Sequence, residues 1–514
     1  MKLERTKNAM RNMMFGTLQK CYSVLVPFIT RTIFIYTLGI KYLGLNSLFG
    51  SILSVLNLAE LGVGNAMVFS MYQAIATDDE TRICALLKLY RRYYTIIGWV
   101  ILLVGISITP IIPNLIKSDV PSDVNIYILY LMNLGATVLT YWLYSYMNSL
   151  FTAFQRGDVA SKISICISVI TTILQICVLV FLKNYYAYVT IIIGMQMVSN
   201  LVSVAVATKM YPQYRPRGDL PKLEVVAINQ KIRDLFTSKI GAVVINSADT
   251  IVISAFLGLV VLAKYQNYYY LFTSIAGFVE IIFTSSMAGI GNSLLTETPE
   301  KNYFDLKKLT FIVAWIAGFC CACFLCLYQP FMTLWVGKDL LLDFSIVCCL
   351  VTYFFIYEIN RVINLYKDAA GIWHEDRFRP LVTALTNLSM NLIMVQFIGL
   401  YGIILSTVLS MVFVGMPWLF HNLFTAVFDR AYFKNYILRI MQYVGVTVAV
   451  CGITYGICSA INASLLVTFC IRFIICMVIP NIMFWISYHK LPEYKQSKEL
   501  LDKITHGRIK FLHS

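Results

Sequence analysis

The chain has 514 residues, 59% hydrophobic and only 13% charged, with a formal net charge of +15. Soluble domains carry roughly 45–50% apolar and about 25% charged residues, so a string of soluble domains is excluded. Apolar runs recur from end to end, the pattern of an all-α polytopic membrane protein. A basic balance that would point to nucleic acid in a soluble chain becomes here a question of topology, and no nucleic-acid partner is expected.

The pattern predicts fourteen transmembrane helices. The first two, over 15–40 and 45–73, follow a basic N-terminus (Lys2, Arg5, Lys7, Arg11) with no small-residue cleavage site after it. Spans at 93–115, 124–150, 160–182 and 186–208 complete a first group of six. In the polar segment after them, Leu223, Val225, Val226, Ile228, Ile232, Leu235 and Phe236 interleave with Lys222, Lys231 and Arg233. This is the pattern of a helix lying in the membrane interface. A second group of six follows, at 236–258, 265–291, 309–329, 341–364, 379–397 and 400–422. Tyr268, Tyr269 and Tyr270 open its second span and fit an aromatic interface belt. Gly399 and Gly402 permit the tight reversal between its last two. Spans at 438–459 and 464–487 precede a tail in which Leu500, Leu501, Ile504 and Phe511 mix with Lys498, Lys503, Arg508 and Lys510, a second interfacial pattern. The 14 cysteines scatter through apolar runs with no paired CxxC or Cys/His spacing. They read as small apolar residues, and no metal site is expected.

Orientation follows from the basic residues. With both termini cytoplasmic, the external loops hold five lysines: Lys41, Lys117, Lys183, Lys264 and Lys338. Arg31 and Arg472 lie within spans, and every other lysine and arginine is cytoplasmic. Adding or removing one helix scrambles this alternation, so the rule that positive charge stays inside favours fourteen spans with N and C termini cytoplasmic. The external loops are short. A membrane glycan polymerase or ligase needs a large one to hold acceptor and catalyst, so that reading is disfavoured and no catalytic residue is assigned. No GxxxxGK[ST] signature is present, so ATP hydrolysis is not expected.

The sequence also repeats. Arg31-Thr-Ile-Phe-Ile in the first span resembles Asp249-Thr-Ile-Val-Ile in the seventh, each leading to a glycine, Gly39 and Gly258. Each copy is followed in the next span by a lone glutamate, Glu60 and Glu280, and the offsets agree to within two residues. Six spans separate the copies, so the repeat keeps its orientation. The organisation expected is a six-helix bundle over 1–210, a second over 211–430 with its interfacial helix, related by a parallel pseudo-twofold, and helices 13–14 with the tail over 431–514.

A charge at the bilayer centre costs ~2.5–3.5 kcal/mol on insertion scales and so usually faces a bundle interior or water. Arg31 lies about nine residues, or ~13 Å, from the external end of its span, and Glu60 about fourteen residues, or ~21 Å, into the next. An arginine side chain spans that difference, which makes the two a candidate pair. Asp249 and Glu280 stand at the equivalent depths, and two carboxylates in one cavity repel. On the functional reading Arg31 holds an anionic group of the substrate, while Asp249 and Glu280 take a coupling cation or proton. On the structural reading these residues tie helices together. Arg472 reads as structural or snorkelling, and Arg361 and Asp368 as interfacial.

These segments resemble the polysaccharide flippases of the multidrug/oligosaccharidyl-lipid/polysaccharide exporter superfamily. The resemblance is carried by Thr30–Gly44, by Leu58-Ala-Glu-Leu-Gly-Val-Gly-Asn65-Ala, by Ile245-Asn246-Ser-Ala-Asp249-Thr-Ile-Val-Ile, and by Asn391–Gly402 with Thr407. It implies a transporter, not an enzyme. Its cargo would be a polyprenyl-diphosphate-linked oligosaccharide, moved from the inner to the outer leaflet of a bacterial inner (plasma) membrane for O-antigen, capsule or other surface polysaccharide. It implies alternating access, Na+ or H+ as coupling ion with no further cofactor, and a polysaccharide polymerase and other assembly proteins as partners. The family's cationic residues of the N-terminal bundle correspond here to Arg31; Glu60, Asn65 and Asn246 join it as substrate-binding candidates. A multidrug/cation antiporter of the same superfamily is the alternative.

Overall fold

The computed structural model describes residues 5–504 apart from positions 61, 118, 119, 144 and 462, and all regular structure among them is helical. The first six predicted spans fall on α1 (Arg5–Thr37), α2 (Ile40–Leu56) with α3 (Val63–Ala76), α4 (Glu80–Ile108), α5 (Ile126–Trp142) with α6 (Asn148–Ala153), α7 (Gly157–Cys177) and α8 (Tyr185–Met210). The next six fall on α9 (Lys222–Leu257), α10 (Leu259–Thr296), α11 (Pro299–Val336), α12 (Phe344–Ala369), α13 (Arg379–Ile398), and α14 (Leu400–Ser410) with α15 (Met416–Ala426). α16 (Ala431–Ser459), α17 (Leu465–Tyr488) and a tail helix, α18 (Pro492–Ile504), complete the order. Among the described residues ten helices are long and apolar enough to cross a membrane, and Ile40–Leu56, Ile126–Trp142 and Val243–Leu257 are shorter apolar helices. The protein is a multi-pass membrane protein.

Two compact units are present, Met1–Ala263 and Lys264–Ser514. In the first, α1 packs on α7, α4 on α5, and α9 on α2 and α3. In the second, α12, α16 and α17 all pack on α11, and α13 pairs with α14. Between α13 and α14 runs a fully buried polar ladder: Asn387 donates to Thr407 (2.9 Å), Asn391 to Asn387 (3.3 Å), and Ser406 to Asn391. The Asn391 and Thr407 of the resemblance thus sit inside a helical hairpin.

The glycines of the repeat share one backbone shape. Gly39 has φ 102° and ψ 166°, and Gly258 has φ 89° and ψ 172°, a region that glycine alone enters without strain. The copies then diverge. The span holding Glu60 breaks into a 3-10 turn over Asn57–Glu60, whereas α10 runs unbroken through Glu280.

The segment at 223–236 is continuous with the span that follows it, as the first part of α9. Arg82 pairs with Glu224 (2.7 Å), and Tyr93 donates to Asn229 (2.6 Å), so protein contacts from α4 hold this stretch. The preceding linker is tied likewise, by Arg217 to Glu80 (2.7 Å) and Lys88 to Asp219 (2.9 Å). Exposed pairs contribute ~0–1 kcal/mol each and set position more than stability. Tyr268 of the tyrosine run is fully buried, and its hydroxyl finds partners within the protein: it donates to Gln329 (3.0 Å) and accepts from the Leu342 N–H (3.3 Å).

The tail helix docks on protein as well. Glu493 is completely buried, 3.6 Å from Lys307 of α11 and 3.5 Å from Arg439 of α16, and Tyr494 stacks on Trp315. Of the predicted amphipathic tail, the side chains of Leu500, Leu501, Lys503 and Ile504 and the whole of Arg508, Lys510 and Phe511 lie outside the described residues. Glu493→Ala removes the anion between two cations and is expected to release α18. Limited trypsinolysis then cuts at Lys495 several-fold faster than in the parent protein; an unchanged rate means the aromatic stack alone holds the helix.

Candidate functional site

The break after α2 builds a site. A helix interrupted at membrane depth leaves backbone N–H and C=O groups without intrahelical partners, tolerated only where they are covered by protein or line a cavity. Gly62 allows both the turn and the cover. Its φ is +90°, and a Cβ there would stand 2.8 Å from the Ile232 carbonyl oxygen and 2.9 Å from Leu235 Cβ on α9.

The turn delivers Glu60 to a cluster of tyrosines. Tyr94 of α4 donates to Glu60 Oε1, and Tyr141 of α5 donates to Oε2 at 2.7 Å. Tyr90 donates to Tyr94 (2.8 Å), and the Tyr141 hydroxyl lies 3.1 Å from Asn57 Oδ1. The rings pack edge-on, with centroids 4.5 Å apart for Tyr90–Tyr94 and 5.3 Å for Tyr94–Tyr141. Glu60 faces a cavity of about 340 Å³ lined also by Ser54, Asn57, Gly62, Gly64, Asn65 and Val243. Each carboxylate oxygen has lone pairs beyond the one a tyrosine occupies, and the two asparagines both donate and accept. Such a lining suits a hydroxyl-rich or cationic guest.

The other predicted residues divide. Asn65 joins Glu60 in this cavity, and Arg31, half-buried on α1, is not among its lining residues. Arg31 lies within electrostatic reach of Tyr188 on α8. On the Glu60 carboxylate, α4 and α5 place the neutral donors Tyr94 and Tyr141. The side chain of Asn246 lies outside the described residues. Asp249 is buried on α9, in a run with buried Ser247, Thr250 and Ser254.

Glu280 belongs to the second unit and forms an ion pair with Arg361 of α12. Arg361 also donates to the wholly buried Glu358 (3.2 Å) and to the Ala276 carbonyl (3.0 Å). Its guanidinium lies over Phe283 (4.5 Å) and Tyr357 (5.4 Å). The carboxylate expected to repel a neighbour therefore has its own cation. Sequence reasoning missed Glu358, although its spacing one turn before Arg361 on a single helix face was a usable signal. It also missed Tyr94 and Tyr141, and nothing marks these two among 33 tyrosines. Asp368 pairs with Lys367.

A second cleft, of about 510 Å³, lies along α3 and α9, where Phe69, Tyr72, Gln73, Arg82, Glu224 and Lys231 line it. Lys231 Nζ stands 4.7 Å above the Phe69 ring, a cation–π contact.

No protein-family model matches the chain, and no curated protein matches it in sequence. Solved structures do match. The lipid II flippase MurJ, in an inward closed conformation, superposes with a TM-score of 0.70 at 16% identity, over 93% of this chain and 99% of that one. An inward-facing multidrug resistance MATE family transporter of the MOP superfamily gives 0.58 at 13% identity, over 83% and 99%. The Vibrio cholerae MATE transporter VcmN gives 0.55 at 15% identity, over 81% and 96%. At such identities the likeness is one of architecture, and these neighbours are transporters. The chain has the fold of the MOP-superfamily transporters.

Proposed function

We propose that this protein is a flippase that carries a polyprenyl-diphosphate-linked oligosaccharide from the inner to the outer leaflet of a bacterial plasma membrane for surface polysaccharide assembly. The observation that carries the reading is the extent of the fold match: 93% of this chain agrees with a lipid flippase, against 83% and 81% for the two MATE transporters. In this proposal fourteen spans cross the membrane with both termini inside. The groups over 1–210 and 211–430 rock against each other, and 431–514 supplies two further helices. A large polar head is shielded by the helices while the lipid tail stays in the bilayer.

Glu60 and Asn65 contact the polar head together with Asn246, and Arg31 supplies positive charge for its diphosphate. Asp249 is the coupling residue for Na+ or H+. Glu280, held by Arg361, fits the structural reading of that position. A polymerase receives the product in the outer leaflet.

Deleting the gene tests the reading. Lipid-linked oligosaccharide should accumulate on the inner leaflet and surface polysaccharide should disappear. Unchanged polysaccharide with raised drug sensitivity would instead establish the antiporter alternative, which the MATE likeness supports. Arg31→Ala is expected to abolish export at a normal membrane level of the protein; normal export in that variant removes Arg31 from the site.

A further inference from the structure

Three helices that pack together in the second unit converge on a knot of thiols. Cys323 and Cys326 stand one turn apart on α11, Cys458 lies at the end of α16, and Cys476 lies in α17. The Sγ atoms of Cys326, Cys458 and Cys476 all lie within 4.8 Å of one another. All three residues are completely buried, and Cys323 packs against them with Leu327, Tyr455 and Ile475. A metal bonded to thiolates at ~2.3 Å holds its sulfurs roughly 4 Å apart, so the three need only a slight contraction to share an ion.

The surroundings contain a charge that apolar cysteines do not require. Arg472 lies one turn before Cys476 on α17, and its guanidinium acts electrostatically on both Cys458 and Cys476. Its Nε is buried without a hydrogen-bond partner. A cationic group in an apolar setting is costly without a compensating anion, and a metal–thiolate centre supplies one. Thiolates select soft ions, chiefly Cu(I) and Zn(II). Charge then discriminates. A closed Zn(II) site takes four ligands; with Cys323 as the fourth, the thiolates around Zn(II) leave −2, and Arg472 leaves −1 uncompensated. Two thiolates around Cu(I) carry −1, which Arg472 cancels.

We propose that Cys326, Cys458 and Cys476 form a binding site for a soft monovalent metal ion of the Cu(I) type, with Cys323 at its edge and Arg472 as counter-charge. Two thiols release their protons to the aqueous buffer as the ion binds, and the third stays neutral as an additional sulfur contact. The ion staples α16 and α17 to α11, across helices that share no local sequence motif.

The test uses the full chain, purified in detergent under reducing conditions and titrated with Cu(I) against a colorimetric Cu(I) chelator, with a parallel Zn(II) titration. One Cu(I) per chain is expected to be retained. Cys476→Ala should lose it, and Cys470→Ala, an exposed cysteine outside the knot, should bind as the parent does. Arg472→Gln should weaken retention by about tenfold or more, as loss of an outer-shell partner does. Failure of the parent protein to retain Cu(I) overturns the site. Tighter binding of Zn(II) than Cu(I) overturns the charge argument. If Cys476→Ala does not fold, the parent stoichiometry and Arg472→Gln decide the matter. The readout is metal binding, so it stands or falls independently of the flippase proposal.

Discussion

Glu60→Gln is expected to fold normally and to lose export. The amide keeps the shape of the side chain and a carbonyl that accepts from one tyrosine, but it removes the charge that Tyr94 and Tyr141 now surround. Hydrogen bonds to a charged group contribute about 1.5–3 kcal/mol each. Loss of one such bond to cargo amounts to roughly ten- to hundredfold in affinity. Glu60→Ala should behave worse, because both tyrosine hydroxyls then lose their carboxylate acceptor and the broken turn loses its anchor. Export measured by surface polysaccharide, beside membrane level and melting temperature, separates the two effects. If Glu60→Gln exports like the parent, Glu60 is an anchor for the turn and nothing more.

Arg361→Ala is expected to be the most destabilising single change in the second unit. It removes the cation that lies against both Glu358 and Glu280. Glu280 is half-exposed, at 52%, and water can compensate it, whereas Glu358 is at 0%. Breaking a buried pair from one side costs about 3–5 kcal/mol, so the variant should accumulate poorly and elute as aggregate. The double variant Arg361→Ala with Glu358→Gln removes the stranded charge and should recover most of the loss. A single variant as stable as the parent, by fluorescence-detected size exclusion, would show that Arg361 does not compensate Glu358.

These sites show what was legible in the sequence. Hydropathy located the helices in order, and the cost of burying charge marked Arg31, Glu60, Asp249 and Glu280. The partners of those charges stayed hidden, because partners are chosen by helix packing. Tyr94 and Tyr141 come from two helices whose patterns resemble those of their neighbours. The break at Asn57–Glu60 was invisible for a related reason. Leucine, alanine and glutamate are good helix formers, and the turn is held by α9 pressed on Gly62. At 223–236 the pattern showed an amphipathic helix but not its continuity with the next span, because such a helix has the same pattern whether its apolar face meets lipid or protein. The thiol knot escaped notice since three helices far apart in sequence supply it.

The contact at Gly62 bears on how this protein moves. Along α9 its partners Ile232 and Leu235 follow Lys231 of the cleft and precede Val243 of the cavity that holds Glu60, and Gly62 itself lines that cavity. The contact sets the Ile232 carbonyl and Leu235 of α9 against a residue with no side chain. A contact made of side chains on both faces can open by a rotamer flip in nanoseconds or less; this one has no side chain to swing aside on the Gly62 side. It parts only when α9 slides or tilts away from α3 as a rod, a collective motion on the microsecond-to-millisecond scale. Separating the two elements here therefore means displacing a whole helix.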